Sequence, residues 1–253
     1  MKYRTSYAVR AAEMNPDYTL KAHYVGMYFQ ECFAEYAASR NVAAFDVEKR
    51  GLTWLTSDVK MEFVGQMPRW RELVDVDVWL HKTTAARMYV NFRMYHGSSE
   101  IARGATIQLI ADINTRRPVR AEQIAESFDL DPDVVFDDPF GKITQFDNGC
   151  CASEGMSQTI QTVRFDDLDF NHHLNNVRYI PRGLEAIPID YRLSHRLVSC
   201  RLKYEREAKF NDEILSVCTR RGDSFTHELI RVSDNVRLCQ MMSSFEAPSR
   251  LRV

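Results

Sequence analysis

The sequence predicts an α+β protein made of two tandem copies of one unit, each a long antiparallel sheet wrapped around a central helix. Three observations predict it: apolar residues at helical spacing after Thr19, four alternating segments behind them, and the same order again in the second half. With 253 residues, of which 45% are hydrophobic, the chain can bury the cores that such units need.

The first copy starts with a helix. Thr19 can act as its N-cap, and apolar side chains then recur every three or four residues up to about Ser39. Four segments with strand-like alternation follow, which read DVKMEFV, ELVDVDVWLHK, ARMYVNFRMYH and EIARGATIQLIADIN. The glycine-containing turn HGSS between the last two predicts a β-hairpin.

The second copy repeats that order. A short helix is predicted from about residue 175 to 186, ended by Pro188. The strand-like segments LVSCRLKYERE, DEILSVCTRR, FTHELIRVS and NVRLCQMMSSFE follow. A shift of 141 residues places Met61 on Leu202 and Glu72 on Glu213. A sheet curled around one helix is called a hotdog fold, so the sequence predicts a tandem hotdog.

The predicted boundaries are a first domain at residues 1–124, an acidic linker at 125–150 and a second domain at 151–253. Six aspartates and two prolines fall in the linker. It lacks the loop glycine and closing glutamate of a calcium loop, so we expect a solvated connection and no metal.

The overall charge and the cysteines narrow the function classes. A net charge of −2 argues against a nucleic-acid or membrane-surface binder. No stretch is long and apolar enough to span a membrane, and the first residues do not resemble a signal peptide. The six cysteines form no CxxC pair, which predicts reduced thiols and a cytoplasmic location.

The stretch DLDFNHHLNN, residues 167–176, concentrates the candidate chemistry. Asp169, Asn171 and His173 are spaced by two, which in an extended segment puts all three on one face. A carboxylate, an amide and an imidazole together can bind, polarise and move protons. The backbone N–H groups near Asn175 and Asn176, at the start of the next helix, are candidate oxyanion donors.

Two other interpretations of this stretch stay open. Asp and Asn are common in turns and helix caps, and zinc would need a second ligand cluster that the sequence lacks. A shift of about 155 residues aligns the two helix starts and lays the trio on Met14, Pro16 and Tyr18. A capping requirement would be shared by both copies, so this asymmetry favours chemistry.

Glu207 is a further candidate. At the 141-residue shift it falls on Gln66, in a segment of similar pattern that carries no charge there. The alternative is a strand-end glutamate in solvent, paired with Arg206 or Lys209.

The motif RFDDLDFNHHLNNVRYIPRGLEAIP resembles the signature stretch of the acyl-acyl carrier protein (acyl-ACP) thioesterases, bacterial type, and LKYERE resembles their Leu-x-Tyr-x-Arg-Glu segment. The segments GLTWLTSDVKMEFVGQMPRWRELVDVDVWL and INTRRPVR are similar to parts of the family's first domain. The resemblance covers nearly the whole chain. It implies a double hotdog with Asp169, Asn171, His173 and Glu207 as the catalytic residues.

The implied reaction is hydrolysis of an acyl-ACP thioester to a free fatty acid, which ends or diverts fatty acid synthesis. Many plant members have a cysteine directly after the glutamate, where this chain has Ala208. We therefore expect activated water rather than a cysteine nucleophile. The base is Glu207, Asp169 or His173; no cofactor and no metal are expected.

Substrate contacts are expected from both copies. Met27, Phe29 and Trp54 are candidates for an acyl-chain pocket in the first. In the second, an excess of basic residues after the motif, including Arg178 and Arg182, fits docking of an acidic carrier protein with its phosphopantetheine-linked chain. A monomer or a homodimer is expected. The alternatives are a hotdog acyl-CoA thioesterase, a non-catalytic acyl-binding protein and, more weakly, a hotdog dehydratase.

Overall fold

The computed structural model describes residues 1–145 and 155–247. The chain forms two compact units, Met1–Phe140 and Gly141–Val253. Residues 146–150 of the predicted linker, and 151–154 and 248–253 of the predicted second domain, lie outside the described residues, as do Cys150 and Cys151.

The first unit combines one long helix with a five-stranded antiparallel sheet. In chain order its elements are β1 (Tyr3–Ala8), α1 (Ala22–Ser39), α2 (Ala44–Glu48), β2 (Leu52–Phe63), β3 (Leu73–Thr83), β4 (Met88–His96), β5 (Ser99–Asp112) and α3 (Glu122–Ala125). The strand order in the sheet is β1-β3-β4-β5-β2.

The second unit repeats this arrangement of strands. In chain order its elements are β6 (Met156–Thr162), α4 (Tyr179–Leu184), α5 (Ile189–Ser194), β7 (Arg196–Tyr204), β8 (Glu213–Arg221), β9 (Ser224–Arg231) and β10 (Val236–Glu246). The strand order is β6-β8-β9-β10-β7, which matches that of the first unit and is again antiparallel. The predicted tandem hotdog is therefore confirmed. Among the described helices, none is long and apolar enough to cross a lipid bilayer.

A glycine lets the helix lie close to the sheet in each unit. In the first unit the Phe29 ring stacks on Phe92 at 4.8 Å, and a Cβ on Gly104 would come within 3.0 Å of the Phe29 ring. In the second unit a Cβ on Gly183, within α4, would lie 2.7 Å from the sulfur of Met241. A larger residue at Gly104 would crowd Lys60 O and the Phe29 ring, and one at Gly183 would require the Met241 side chain to move.

The start of the first helix differs from the prediction. α1 begins at Ala22 with Lys21 at its N-cap position, and that N-cap makes no side-chain capping bond. The Thr19 hydroxyl instead donates to Asp17 Oδ1 at 2.6 Å. Thr19 as the cap was therefore wrong, because its hydroxyl belongs to the preceding turn.

The strands β1 and β6 were not predicted from the sequence. Their residues alternate strictly between more and less exposed, and both are rich in Ser, Thr or Gln. Each pairs along one side, β1 with β3 and β6 with β8. Edge strands with this composition carry little of the apolar signal that marks a strand in a sequence.

Part of the predicted acidic linker packs on the first unit. Phe128 is buried, Asp131 N–H donates to Leu80 O at 2.8 Å, and the Trp79 indole donates to Asp133 O at 2.7 Å. These contacts place residues 128–133 within the Met1–Phe140 unit.

Candidate active site

The DLDFNHHLNN stretch forms a tight turn. Asp169 N–H donates to His173 O at 2.8 Å and His172 N–H donates to Asp169 O at 3.0 Å. His172 has a φ of 60°, in the left-handed region. The extended geometry that we expected from the spacing of two was wrong, because the chain reverses direction between Asp169 and His173.

The Asp169 carboxylate holds this turn together. Its Oδ1 accepts from Asn171 N–H at 2.8 Å and from His173 N–H at 3.4 Å. This is the Asx-turn arrangement, in which a short acidic side chain satisfies backbone donors two and four residues ahead. The structure thus gives Asp169 a role in shaping the loop that carries Asn171 and His173.

His173 and Glu207 meet across the second unit. His173 Nε2 lies 3.2 Å from Glu207 Oε2, with side-chain exposures of 16% and 35%. His173 Nδ1 is buried, whereas Nε2 lies against the partly exposed Glu207 carboxylate. Of the predicted catalytic residues, these two form a direct acid–base pair.

A backbone bond ties the two parts of the site together. Leu174 N–H donates to Ala208 O at 2.9 Å, which links the residue after His173 to the residue after Glu207. Arg231 Nη1 also donates to Glu207 O at 3.2 Å. Sequence reasoning missed Arg231, which is 24 positions away along the chain and belongs to no local motif.

Asn175 and Asn176 cap the helical turn that follows. The side-chain oxygens of both accept from Val177 N–H at 3.0 Å. Asn175 N–H, one of the predicted oxyanion donors, donates to Asp167 O at 3.0 Å in this structure. Asn176 O accepts from the Tyr204 hydroxyl at 2.8 Å.

Arg182 is a buried partner of Asp167. Its Nη2 lies 2.6 Å from Asp167 Oδ2 and its Nη1 donates to Arg178 O at 3.3 Å. The Arg182 side chain is 8% exposed. This internal ion pair occupies the guanidinium that we predicted for substrate binding, whereas Arg178 remains half-buried.

The predicted acyl-chain residues differ in burial. Phe29 is buried in the core of the first unit, and Trp54 is half-buried with its indole N–H donating to Val42 O at 2.9 Å. Met27 is half-buried on α1. Their contact with an acyl chain stays a prediction.

The first unit contains a turn of the same build. Asn15 N–H donates to Thr19 O at 2.7 Å, Tyr18 N–H donates to Asn15 O at 3.0 Å, and Tyr18 has a φ of 64°. These bonds match those of Asp169, His172 and His173 at an offset of 154 residues.

The predicted offset of 155 was therefore wrong by one. The counterparts of the trio are Asn15, Asp17 and Thr19, which are polar, so both copies share the polar turn. The first copy lacks the imidazole, and where the second has Glu207 it has Gln66 and Met67. The difference that favours chemistry is thus the His–Glu pair and not the turn.

Two family models match the chain. The acyl-ACP thioesterase N-terminal domain covers residues 1–127, and the C-terminal domain of the same family covers residues 152–247. This chain belongs to the acyl-ACP thioesterase family.

Curated members of the family resemble this chain over most of its length. The chloroplastic palmitoyl-acyl carrier protein thioesterase of Gossypium hirsutum is 24% identical, covering 92% of this chain and 58% of its own length. The chloroplastic dodecanoyl-[acyl-carrier-protein] hydrolase of Umbellularia californica is 26% identical, covering 88% and 60%. The chain thus spans about 60% of the length of these relatives.

Solved structures share the fold. An acyl-ACP thioesterase from Bacteroides thetaiotaomicron superposes with a TM-score of 0.82 at 20% identity, covering 97% of this chain and 98% of its own. The 12:0-ACP thioesterase from Umbellularia californica gives 0.83 at 22% identity, covering 97% of both chains.

Ala208 directly follows Glu207 in the chain. The residue is fully buried, with 0% exposure. A buried side chain at this position has no access to water or to an exposed carbonyl. Glu207, directly before it, keeps about a third of its side chain exposed.

Proposed function

We propose that this protein hydrolyses acyl-ACP thioesters and releases free fatty acids. The contact between His173 Nε2 and Glu207 Oε2 at 3.2 Å carries the proposal. It supplies a carboxylate base next to an imidazole on the unit that matches the family's C-terminal domain. The printed names of the curated relatives, which are thioesterases and hydrolases of acyl-ACP, support the substrate class.

In the proposed mechanism Glu207 is the general base. It takes a proton from water while the water oxygen bonds to the thioester carbonyl carbon. The tetrahedral intermediate then expels the thiolate, which regains a proton through the His173–Glu207 pair, giving one carboxylic acid and one thiol. Glu207 is favoured over His173 because its side chain is the more exposed, at 35% against 16%.

Asp169 and Asn171 take supporting roles in this proposal. Asp169 fixes the turn through its bonds to the Asn171 and His173 N–H groups. Asn171, held at the centre of that turn, orients the substrate carbonyl or the water with its side-chain amide.

The carrier protein is proposed to dock on basic residues that flank Glu207. Of the basic residues that follow the motif, Arg182, Arg192 and Arg196 are already paired with carboxylates. Lys203, Arg206 and Lys209 are exposed, on β7 and in the segment after it. Their positive charge complements an acidic carrier.

A thioester ladder tests the proposed activity. Acyl-ACP substrates of increasing chain length are incubated with the enzyme, and released fatty acids are measured beside acyl-CoA of the same chain length at equal concentration. We expect release from acyl-ACP and loss of release in Glu207→Gln. A clear preference for acyl-CoA would overturn the carrier proposal, and no release from either would support the non-catalytic alternative.

Charge reversal tests the docking residues. Arg206→Glu combined with Lys209→Glu should raise KM for acyl-ACP several-fold and leave hydrolysis of acyl-CoA unchanged. Lys49→Glu is the matched control, because Lys49 is 73% exposed in the first unit. Equal losses with both substrates would place these residues in catalysis instead.

The cytoplasm is the proposed location. The burial of Cys32, Cys200 and Cys218 as thiols supports it, since reduced cysteines are usual in reducing compartments.

A further inference from the structure

Glu207 lies in a segment whose position the sheet does not set. β7 ends at Tyr204 and β8 begins at Glu213. The N–H groups of Glu205 and Arg206 both donate to Leu238 O, at 2.8 and 3.1 Å. The regular pairing of β7 with β10 ends at this point. Other contacts must therefore hold the carboxylate against His173.

The Tyr179 hydroxyl binds on both sides of Glu207. It accepts from Ala208 N–H at 3.2 Å and donates to Arg206 O at 3.5 Å. Tyr179 lies in α4 and is buried, with 2% exposure. Burial raises the pKa of its phenol above the usual value, so the hydroxyl stays neutral and keeps the proton it donates.

Two further bonds complete the support of this segment. Arg231 Nη1 donates to Glu207 O at 3.2 Å, and Leu174 N–H donates to Ala208 O at 2.9 Å. The Tyr179 hydroxyl is the one side-chain group in this set that contacts the peptide units both before and after Glu207.

The first unit shows that the fold does not require this hydroxyl. At the offset of 154, Tyr179 corresponds to Val25. Leu20 N–H donates to Pro68 O there, as Leu174 does to Ala208 O, so Pro68 corresponds to Ala208. Proline has no N–H and valine has no hydroxyl. The donor and the acceptor are thus both absent in the copy that lacks Glu207.

We propose that Tyr179 is a positioning residue for hydrolysis, whose hydroxyl fixes the backbone around Glu207 and so keeps its carboxylate in contact with His173. The inference rests on the proposed function, since Glu207 is the base there. A small displacement of a catalytic group is costly in rate, whereas ground-state binding of the substrate does not depend on it.

A double-mutant cycle tests this role. Tyr179→Phe should lower kcat for acyl-ACP about 10-fold with KM within twofold of wild type. In the Glu207→Gln background the same substitution should change kcat less than twofold, because the group that it positions is gone. An equal loss in both backgrounds, or no loss in the wild-type background, would overturn the proposal.

The matched control is Tyr191→Phe. Tyr191 is another buried tyrosine of the second unit, and its hydroxyl donates to Asp223 Oδ1 at 3.0 Å. The Tyr191→Phe substitution removes this hydrogen bond and should leave kcat within twofold of wild type. A second variant, Ala208→Pro, removes the N–H group that donates to the Tyr179 hydroxyl. It also gives position 208 the proline that its counterpart Pro68 has in the first unit. Ala208→Pro should also lower kcat, as Tyr179→Phe does. If Tyr179→Phe fails to fold, Ala208→Pro tests the positioning role in its place.

A measurement without substrate separates this inference from the proposed function. The His173 ring signals in NMR should move in Tyr179→Phe toward their positions in Glu207→Gln, and stay in place in Tyr191→Phe. If the wild-type protein hydrolyses no thioester, the proposed function is refuted. The change of the His173 NMR signals in Tyr179→Phe still tests the positioning role in that case. Unchanged His173 signals in Tyr179→Phe would refute it.

Discussion

Replacing Arg182 with leucine distinguishes an internal ion pair from a substrate contact. The substitution removes the 2.6 Å contact to Asp167 Oδ2 and the 3.3 Å bond to Arg178 O. Both bonds are donated by the charged guanidinium, and such hydrogen bonds contribute about 1.5–3 kcal/mol each, with the longer 3.3 Å bond at the lower end. We therefore expect the free energy of unfolding to fall by about 3 kcal/mol.

The partial exposure of Asp167 sets this magnitude. Its side chain is 19% exposed, so water can solvate the abandoned carboxylate in part. Asp167 Oδ2 also keeps its bond from Arg164 N–H at 2.9 Å. The loss thus lies at the lower end of the range of about 3–5 kcal/mol for breaking a fully buried pair.

Thermal and urea unfolding measure the effect. For a chain of this size the melting temperature should fall by roughly 6–12 °C, while KM for acyl-ACP at 20 °C stays within twofold of wild type. The control is Arg192→Leu, whose ion pair with Glu185 has side-chain exposures of 32% and 57% and should matter by less than about 1 kcal/mol. A raised KM at unchanged stability would show that Arg182 binds substrate.

Three further predictions follow from the site and the core. Glu207→Gln should lower kcat by about 10²–10⁴-fold without a change in melting temperature, measured by fatty acid release; a smaller loss would reject Glu207 as the base. Ala208→Cys should stay active and should be no more sensitive to thiol reagents than wild type, because the side chain at 208 is buried, and selective inactivation would contradict this. Burial lowers the pKa of His227 to about 3, below its unfolded value, so unfolding takes up a proton as the pH falls. The free energy of unfolding should therefore drop by about 2 kcal/mol between pH 7 and pH 5. His227→Gln should lose that contribution in urea titrations, and an unchanged pH dependence would show that other groups control it.

The two copies of a helix followed by strands could be predicted from the sequence, because the apolar residues that face each core recur at the fixed periods of helices and strands. The segments ELVDVDVWLHK and FTHELIRVS contain the strands β3 and β9 almost to the residue. The edge strands β1 and β6 were missed because neither contains a buried residue, and in β6 the less exposed positions are the polar Ser157, Thr159 and Gln161. The cap of α1 was misplaced because the Thr19 hydroxyl had a nearer partner in Asp17.

The candidate site residues could also be predicted from the sequence, but their roles could not. Asp169, Asn171, His173 and Glu207 stood out by residue type and by resemblance to the family. Spacing alone suggested an extended strand, and only the bond from Asp169 N–H to His173 O shows a turn. A hydrogen bond that closes a turn depends on φ and ψ, which residue spacing does not specify.

The sequence by itself determined that this protein has two related units, that only the second carries the Asp-x-Asn-x-His motif, and that no cysteine stands beside Glu207. The tertiary structure decided which groups meet: His173 with Glu207, Arg182 with Asp167, and Tyr179 with the backbone on both sides of Glu207. The physical reason is that these contacts join residues 15 to 34 positions apart, where burial and backbone direction choose the partner.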